Sequence, residues 1–267
     1  MAGQNSLLAI FAHPDDESIV AGGTLARYAA AGWQTALLCA TRGEWGPISD
    51  EALADYENLG AVRERELRAA CAVLGVSWLR FLDLDDGGVG AVLGDEEEER
   101  ALEKMVRALR ELQPQIVITF GPDGLYGHAD HIAIGQLATK ACALACDPNA
   151  FPQHLDEQLP AHRVGELLYA TAPQGLYADL IAELAATGHA THLWGIPPEQ
   201  FGVPSEEITL TNDITPLLER KLAALRCHRT QLDESHAFTH LTLELAKELF
   251  GQEFFRRVQN VKAILPE

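Results

Sequence analysis

Positive charge is scarce in this chain. Lys and Arg number 20 against 39 Asp and Glu, a formal charge of −19. A surface this acidic repels phosphate backbones and anionic headgroups, which excludes nucleic acid and anionic membrane surfaces as partners. Cysteine is sparse as well: Cys39, Cys71, Cys142, Cys146 and Cys227. The odd count and apolar neighbours speak against a disulfide framework and for reduced thiols. No run of about 18 uncharged apolar residues exists, so no membrane span is expected. Residues 1–12 hold too short an apolar run for a signal peptide, and no basic leader, so a cytoplasmic location is expected. Three motifs are missing: GxxxxGK(S/T), HExxH and GxSxG. Nucleotide-triphosphate, zincin and serine-hydrolase readings therefore lack support. Gly87-Gly88-Val89-Gly90 is no dinucleotide fingerprint, because it follows a third strand and opens no suitably spaced helix.

What is present is ordinary globular material: 47% hydrophobic, 22% charged and 7% aromatic over 267 residues. At about 150 residues per domain, that length allows one large domain or two small ones. Leu7–Phe11 is a short continuous apolar run, the pattern of a strand buried on both faces. Ser18–Ala31 reads as a helix and Thr35–Cys39 as a second strand. Residues 41–57 form a long polar loop. Ala61–Leu74 is a helix, Trp78–Leu82 a third strand and Asp83–Gly94 a Gly- and Asp-rich loop. Asp95–Leu112 is a helix with acids in its first turn, as the helix dipole prefers. Pro114 breaks it, Ile116–Phe120 is a fourth strand, and a helix runs from about Asp130 to Ala145. Strand–helix alternation of this kind means a parallel sheet covered by helices, an α/β Rossmann-like fold. The remainder is less regular. Residues 147–162 look like an exposed loop. Glu166–Ala170 and Ile208–Leu210 are candidate strands, and Pro216–Arg229 and Leu241–Phe250 candidate helices. The reading is a single domain over 1–267, with regular units over 1–145 and a C-terminal part, 146–267, completing the pocket.

In an open parallel sheet, ligands bind where the strand order reverses, beside the loops that follow the strands. If the order is 3-2-1-4, strands one and four are neighbours there. The loop after strand one reads Ala12-His13-Pro14-Asp15-Asp16-Glu17, and the loop after strand four runs from Gly121 to His131. Three histidines and several carboxylates thus fall in two loops that should face each other. Imidazole and carboxylate suit zinc, and three protein ligands leave a place for water. Any one of these acids also reads as a plain helix cap.

The string His13-Pro14-Asp15-Asp16-Glu17 resembles the AHPDDE signature of the LmbE/PIG-L family of zinc-dependent N-deacetylases. Gly127-His128-Ala129-Asp130-His131 is similar to that family's GHxDH signature, with Ala129 where Pro is more common. Thr41 to Gly46 resembles its TxGExG segment. Lys221 to Gln231 resembles its KxxAxxxHxSQ segment, with Thr230 in place of Ser. The likeness runs from about residue 7 to 232. Members cleave the acetyl amide of N-acetylglucosaminyl conjugates, the mycothiol and bacillithiol pathway deacetylases among them.

The resemblance implies zinc ligands His13, Asp16 and His131, and Asp15 as general base. The residues alone do not say which aspartate does which. It implies His128 as a protonated oxyanion donor oriented by Asp130, and Tyr126 as a mobile oxyanion contact. It implies sugar contacts from Arg63 and Asp86. A helix ion pair with Glu66 or Glu64 is the plainer reading of Arg63, and a turn residue that of Asp86. Glu44 lies on the same sheet edge, to support the site or carry a substrate hydrogen bond. His228 and Gln231 line the pocket or brace it. His154, His162, His189, His192, His236 and His240 read as surface or satisfied histidines. Cys142 and Cys146 read as small core residues. The expected function is zinc-dependent removal of acetate from an N-acetylglucosamine-containing small molecule. A non-sugar amide or other N-acyl substrate is the alternative, and a non-catalytic metal-bound binder a further one. Fe²⁺ or Co²⁺ also suits the ligand set. A homo-oligomer stays open.

Overall fold

Ser6–Phe11 forms strand β1, and all six of its residues are buried. Successive side chains of a strand point to opposite faces, so both faces of this one meet protein. Leu7, Ala9 and Phe11 enter one hydrophobic cluster, and Leu8 and Ile10 enter another. The computed structural model describes residues 5–90, 94–188, 191–193 and 195–258. After β1 come α1 (Asp16–Val20), α2 (Gly22–Ala30), β2 (Gln34–Cys39), α3 (Leu59–Leu74) and β3 (Trp78–Phe81). Then follow α4 (Asp95–Leu112), β4 (Ile116–Phe120), the single turn α5 (Gly124–Gly127), α6 (Ala129–Ala145), α7 (Gln153–Asp156) and β5 (Glu166–Thr171). The chain goes on through α8 (Leu176–Ala186), β6 (Leu210–Asp213), α9 (Leu218–Leu225), α10 (Leu243–Phe250) and β7 (Gln252–Arg257).

The sheet order is β3-β2-β1-β4-β5-β7-β6. Strands β1 and β4 are parallel neighbours, Leu7 opposite Ile116. The order reverses there, at the position expected for a ligand site. On one face lie Leu25 of α2, Leu67 of α3 and Leu222 of α9; on the other, Met105 of α4 and Ile134 of α6.

The parallel run ends at β5. Strand β7 pairs antiparallel with β5, and β6 antiparallel with β7. The sheet is therefore mixed. Strand β7 escapes a hydrophobic pattern because one of its inward positions is Glu253, 2% exposed. That carboxylate accepts the N–H groups of Gly23 (2.8 Å) and Thr24 (2.7 Å) and the ammonium of Lys221 (2.7 Å). It sits at the N-terminus of α2, where a negative charge is favoured. This explains why the helix expected over Ser18–Ala31 is two helices, broken at Ala21 (φ −142°). The strand expected at Ile208–Leu210 lies instead at Leu210–Asp213, after a 3₁₀ turn over Ser205–Glu207. The helix expected over Pro216–Arg229 is shorter, flanked by 3₁₀ turns at Thr215–Leu217 and Arg229–Gln231. Helix α8 was outside the expected elements. Residues 147–162 are tied down: Arg110, fully buried, donates to the carbonyls of Ala145, Asp147, Ala150 and Phe151. Among the described residues no helix is long and apolar enough to cross a membrane.

Candidate metal centre and active site

The loop after β1 is tightly built. The N–H of His13 donates to Asp16 Oδ2 at 2.9 Å, and the Asp15 carbonyl accepts the N–H groups of Ser18 (2.9 Å) and Ile19 (3.1 Å). Asp15 closes the turn at φ 114°, ψ −30°. A residue with a side chain in that region carries strain of about 1–3 kcal/mol and persists only where its surroundings hold it. The loop after β4 turns through Gly124 (φ 57°), Leu125 (φ 68°) and Gly127 (φ 85°). It delivers His128 to the N-cap of α6, and His131 to the first turn of that helix. The loop after β3 closes on the same spot. Gly90 lies so near the start of α6 that a Cβ there would stand 2.4 Å from Ala129 Cβ.

His13, Asp16 and His131 converge. His13 Nδ1 is 3.3 Å from His131 Nε2, His131 Nε2 is 3.3 Å from Asp16 Oδ1, and His13 Nδ1 is 3.8 Å from Asp16 Oδ2. Ligands roughly 2.0–2.1 Å from one tetrahedral zinc ion would stand about 3.3–3.4 Å apart, so the spacing fits a metal. The ring tautomers agree, read from their outer partners. His131 Nδ1 donates to the Gly124 carbonyl (3.2 Å), and His13 Nε2 faces Asp130 Oδ2 (3.2 Å) and Asp86 Oδ1 (3.3 Å). With both rings neutral, the inner nitrogens are acceptors facing each other and a carboxylate, a place for a cation: a metal ion, or the proton that the surrounding carboxylates hold on His13. Phe120 stacks on the His131 ring, centroids 4.0 Å apart, and fixes its plane. His128 also brings a ring nitrogen within 4.8 Å of His13 and His131, and His13, Asp86 and Asp130 form a second such group. That second group meets at Nε2 of His13, where the carboxylates act as hydrogen-bond acceptors.

Three successive acids are buried here: Asp15 is 8% exposed, Asp16 6% and Glu17 0%. Burial pushes the Asp15 and Asp16 carboxyls above the usual carboxylate range, although the charge of His228, and then of His13, opposes this at Asp15 and the charge of His13 opposes it at Asp16. Burial also opposes protonation of His13, but Asp130, Asp86 and Asp16 outweigh it and push that ring up to about 10. Burial holds His131 well below its ordinary value, and the charge of His13 adds to this. The centre is a pocket of negative potential, suited to a divalent ion.

Not every expected role matches the geometry. The Asp130 carboxylate does not orient His128. It serves His13, and it accepts the N–H groups of Gly87 (2.8 Å) and Gly90 (2.5 Å). His128 instead takes the backbone N–H of Asp130 at Nδ1 (3.2 Å). With Nδ1 accepting, and with burial and His13 lowering its pKa, the ring stands as a neutral Nε2–H donor rather than an imidazolium.

Glu44 is not a cavity residue. It accepts the N–H groups of Asp86 (2.9 Å) and Arg42 (3.1 Å) and so joins two loops. Arg63 makes no helix ion pair; Glu64 is taken by Arg42 (2.7 Å) and Arg68 (2.6 Å). Arg63 is 3% exposed, lines the cavity and donates to the carbonyls of Gly43 (2.6 Å) and Pro47 (2.8 Å). Asp86 lines it too, its second oxygen accepting the Trp45 N–H (3.0 Å). His228 is fully buried outside the cavity, bonded to Glu17 (2.9 Å). Gln231 lines the cavity and donates to the Pro14 carbonyl (2.6 Å). Of the remaining histidines, His154 pairs with Glu103 (2.7 Å) and His162 with the Pro114 carbonyl (2.8 Å); His189 lies outside the described residues.

The cavity holds about 260 Å³. Its polar lining includes Asp15, Asp86, Arg63, His128 and Gln231, and its apolar lining Ile19, Val20, Leu125, Tyr177, Ile196 and Phe201. Tyr126 also lines it, its ring 5.3 Å from that of His131 and 4.8 Å from that of Phe201. The apolar lining and Glu17 were missed by sequence reasoning. Only the position of Glu17 in the acidic string could have marked it; Tyr177 and Phe201 fall in segments without a motif.

The profile of the GlcNAc-PI de-N-acetylase (PIG-L) family matches residues 8–142. A 1D-myo-inositol 2-acetamido-2-deoxy-α-D-glucopyranoside deacetylase of Thermomonospora curvata is 36% identical over 93% of this chain and 89% of its own length. Among solved structures, N,N′-diacetylchitobiose deacetylase from Pyrococcus horikoshii superposes with a TM-score of 0.69 at 24% identity, covering 95% of this chain and 84% of that one. A 4-carboxy-2-hydroxymuconate hydratase from Pseudomonas putida follows with 0.68 at 20% identity, covering 96% and 97%. At such identities the structures speak for the fold alone, and the hydratase shows that this fold also hosts other reactions.

Proposed function

The chain belongs to the PIG-L (LmbE) family of deacetylases, and from that premise we propose that it frees the amine of an acetamido sugar joined to a small polyol ring, using zinc. It is a metal-dependent amide hydrolase. The polyol-linked sugar is carried over from the activity for which the Thermomonospora curvata relative is named. The choice of zinc rests on the donor set, two imidazoles and one carboxylate; Fe²⁺ and Co²⁺ come next. The observation that carries the reading is the 3.3–3.8 Å triangle of His13, Asp16 and His131 in the cavity that Asp15 and His128 also line.

His13, Asp16 and His131 would hold the ion. When bound, it supplies Lewis acidity, which lowers the pKa of water and polarises an amide carbonyl. Asp15 takes the proton of the attacking water and returns it to the departing amine. Its buried setting makes it a stronger base than a solvated aspartate. His128 donates through Nε2–H to the oxygen of the tetrahedral intermediate, the charge-stabilising task of an oxyanion hole. Tyr126 borders the same space. Asp86 and Arg63 present hydrogen-bonding groups to sugar hydroxyls.

The apolar lining favours a second reading of the acyl side, one that takes chains longer than acetyl. A panel of N-acetyl and N-butyryl glucosaminides, with and without an inositol aglycone, tests both. The proposal predicts fastest release of acetate from the inositol conjugate. Release confined to N-acyl compounds without a sugar would overturn the substrate reading. A bound metal with no release from any amide would favour a binder.

A further inference from the structure

His228 and Gln231 match a motif whose task the sequence does not disclose, and neither belongs to the metal triangle. Both act on one peptide unit. The Pro14 carbonyl accepts the Nε2–H of Gln231 at 2.6 Å. The N–H of the same unit, that of Asp15, donates to Glu17 Oε2 at 3.1 Å. Glu17 is in turn held through Oε1 by His228 Nε2 (2.9 Å) and Ser18 Oγ (2.5 Å). Glu17 and His228 are both fully buried. Both carboxylate oxygens are thus committed, one to the strained residue and one to the late segment. That segment is itself anchored to α3: Thr230 donates its backbone N–H (3.0 Å) and its hydroxyl (2.7 Å) to Glu66.

We propose that His228, acting through Glu17, and Gln231 form a clamp that holds the Pro14–Asp15 peptide unit, and with it the Asp15 carboxylate, in working position. They are positioning residues. The proposal rests on the reading of Asp15 as the base. Asp15 adopts φ 114°, a conformation an aspartate leaves unless it is held. The unit lies between His13 on one side and Asp15 and Asp16 on the other, so a small swing there displaces the base relative to the bound substrate. The clamp also explains why elements some 200 residues apart in sequence, a separation of 211 for Glu17 and His228, carry parts of one site.

The test is a double-mutant cycle on the metal-loaded full chain, with kcat, KM, metal content and Tm read for each variant. His228→Ala and Gln231→Ala are expected to lower kcat by about 100-fold, the scale of an ångström-size misplacement. KM and metal content should change less than about twofold, because the triangle stays intact. His228→Gln keeps an N–H donor near Nε2 while removing the charge that Glu17 favours on the ring, and should recover part of the loss. In an Asp15→Asn background, His228→Ala should cost nothing further, since both variants act through one group. Additive losses in the cycle would overturn the clamp alone. So would a wild-type kcat in a folded His228→Ala protein, or a kcat loss that tracks metal loss. An Asp15→Asn protein with wild-type turnover would overturn the base reading and the clamp with it. If His228→Ala fails to fold, His228→Gln and Gln231→Ala carry the cycle.

Discussion

Asp130 touches two histidines in two different ways. Its carboxylate stands 3.2 Å from Nε2 of His13, and its backbone N–H donates to Nδ1 of His128. The side chain therefore belongs to the metal ligand and the main chain to the oxyanion donor. A carboxylate behind a ligating imidazole fixes its tautomer and raises its basicity. Asp130→Asn should weaken metal affinity by about 10–100-fold and leave the metal-saturated kcat much nearer wild type. A competitive chelator titration checks this. Wild-type affinity with a collapsed kcat would return Asp130 to the role of orienting His128.

Removing the base should separate binding from turnover. Asp15→Asn is expected to keep one metal per chain and lose about 10²–10⁴ in kcat, the usual worth of general acid–base catalysis. Metal analysis beside single-turnover kinetics decides it. A metal-free variant would mean that Asp15 is a ligand.

His128 presents a neutral donor, and this sets the order of its variants. His128→Ala should lose about 10²–10³ in kcat, and His128→Gln, which keeps an uncharged N–H, should lose less. Equal losses, with metal retained in both, would point back to an imidazolium.

A pH-dependent contact lies behind the cavity, where His236 meets Phe238 and Phe238 meets the lining residue Tyr177. His192 and His236 form an isolated bridge, the Ala237 N–H donating to the His192 carbonyl at 3.0 Å. This ties His192 to the turn at Ala237–His240. Burial, with repulsion from His192, lowers His236 from 6.5 to about 4. The unfolded chain then binds that proton more readily than the folded one. The neutral ring's contribution to stability is full above pH 6.5 and is lost as pH falls from 6.5 towards 4. Thermal unfolding across that range should show wild type gaining on His236→Gln as pH rises. A constant difference between the two curves contradicts this.

Much of this was legible in the chain because the signals are local. Leu7–Phe11 of strand β1 is a continuous apolar run, and α4 carries four acids in its first turn. Alternation of such units predicts a parallel sheet, and the common order 3-2-1-4 then brings His13 and His131 together, as the structure does. What was not legible depends on distant partners. Glu253 sits where an inward strand residue should be apolar, because it caps a helix 230 residues away. Sequence proximity points the Asp130 carboxylate to His128, whereas the fold brings His13 closer. Tyr177 and Phe201 line the cavity from segments whose composition resembles any core. His228 stood in a recognised motif, but its partner Glu17 is visible only once α9 has packed on the loop after β1.

Metal-dependent amide hydrolysis at the His13, Asp16 and His131 triangle is the central claim, and titration of the chelated protein with Zn²⁺ tests it most directly. Acetate release from an inositol-linked N-acetylglucosaminide should be abolished by chelation and rise in proportion to added metal, saturating at one equivalent per chain. Asp16→Asn should need far more metal to reach any rate. Release that survives chelation, or that Asp16→Asn supports at the same single equivalent, would contradict the account.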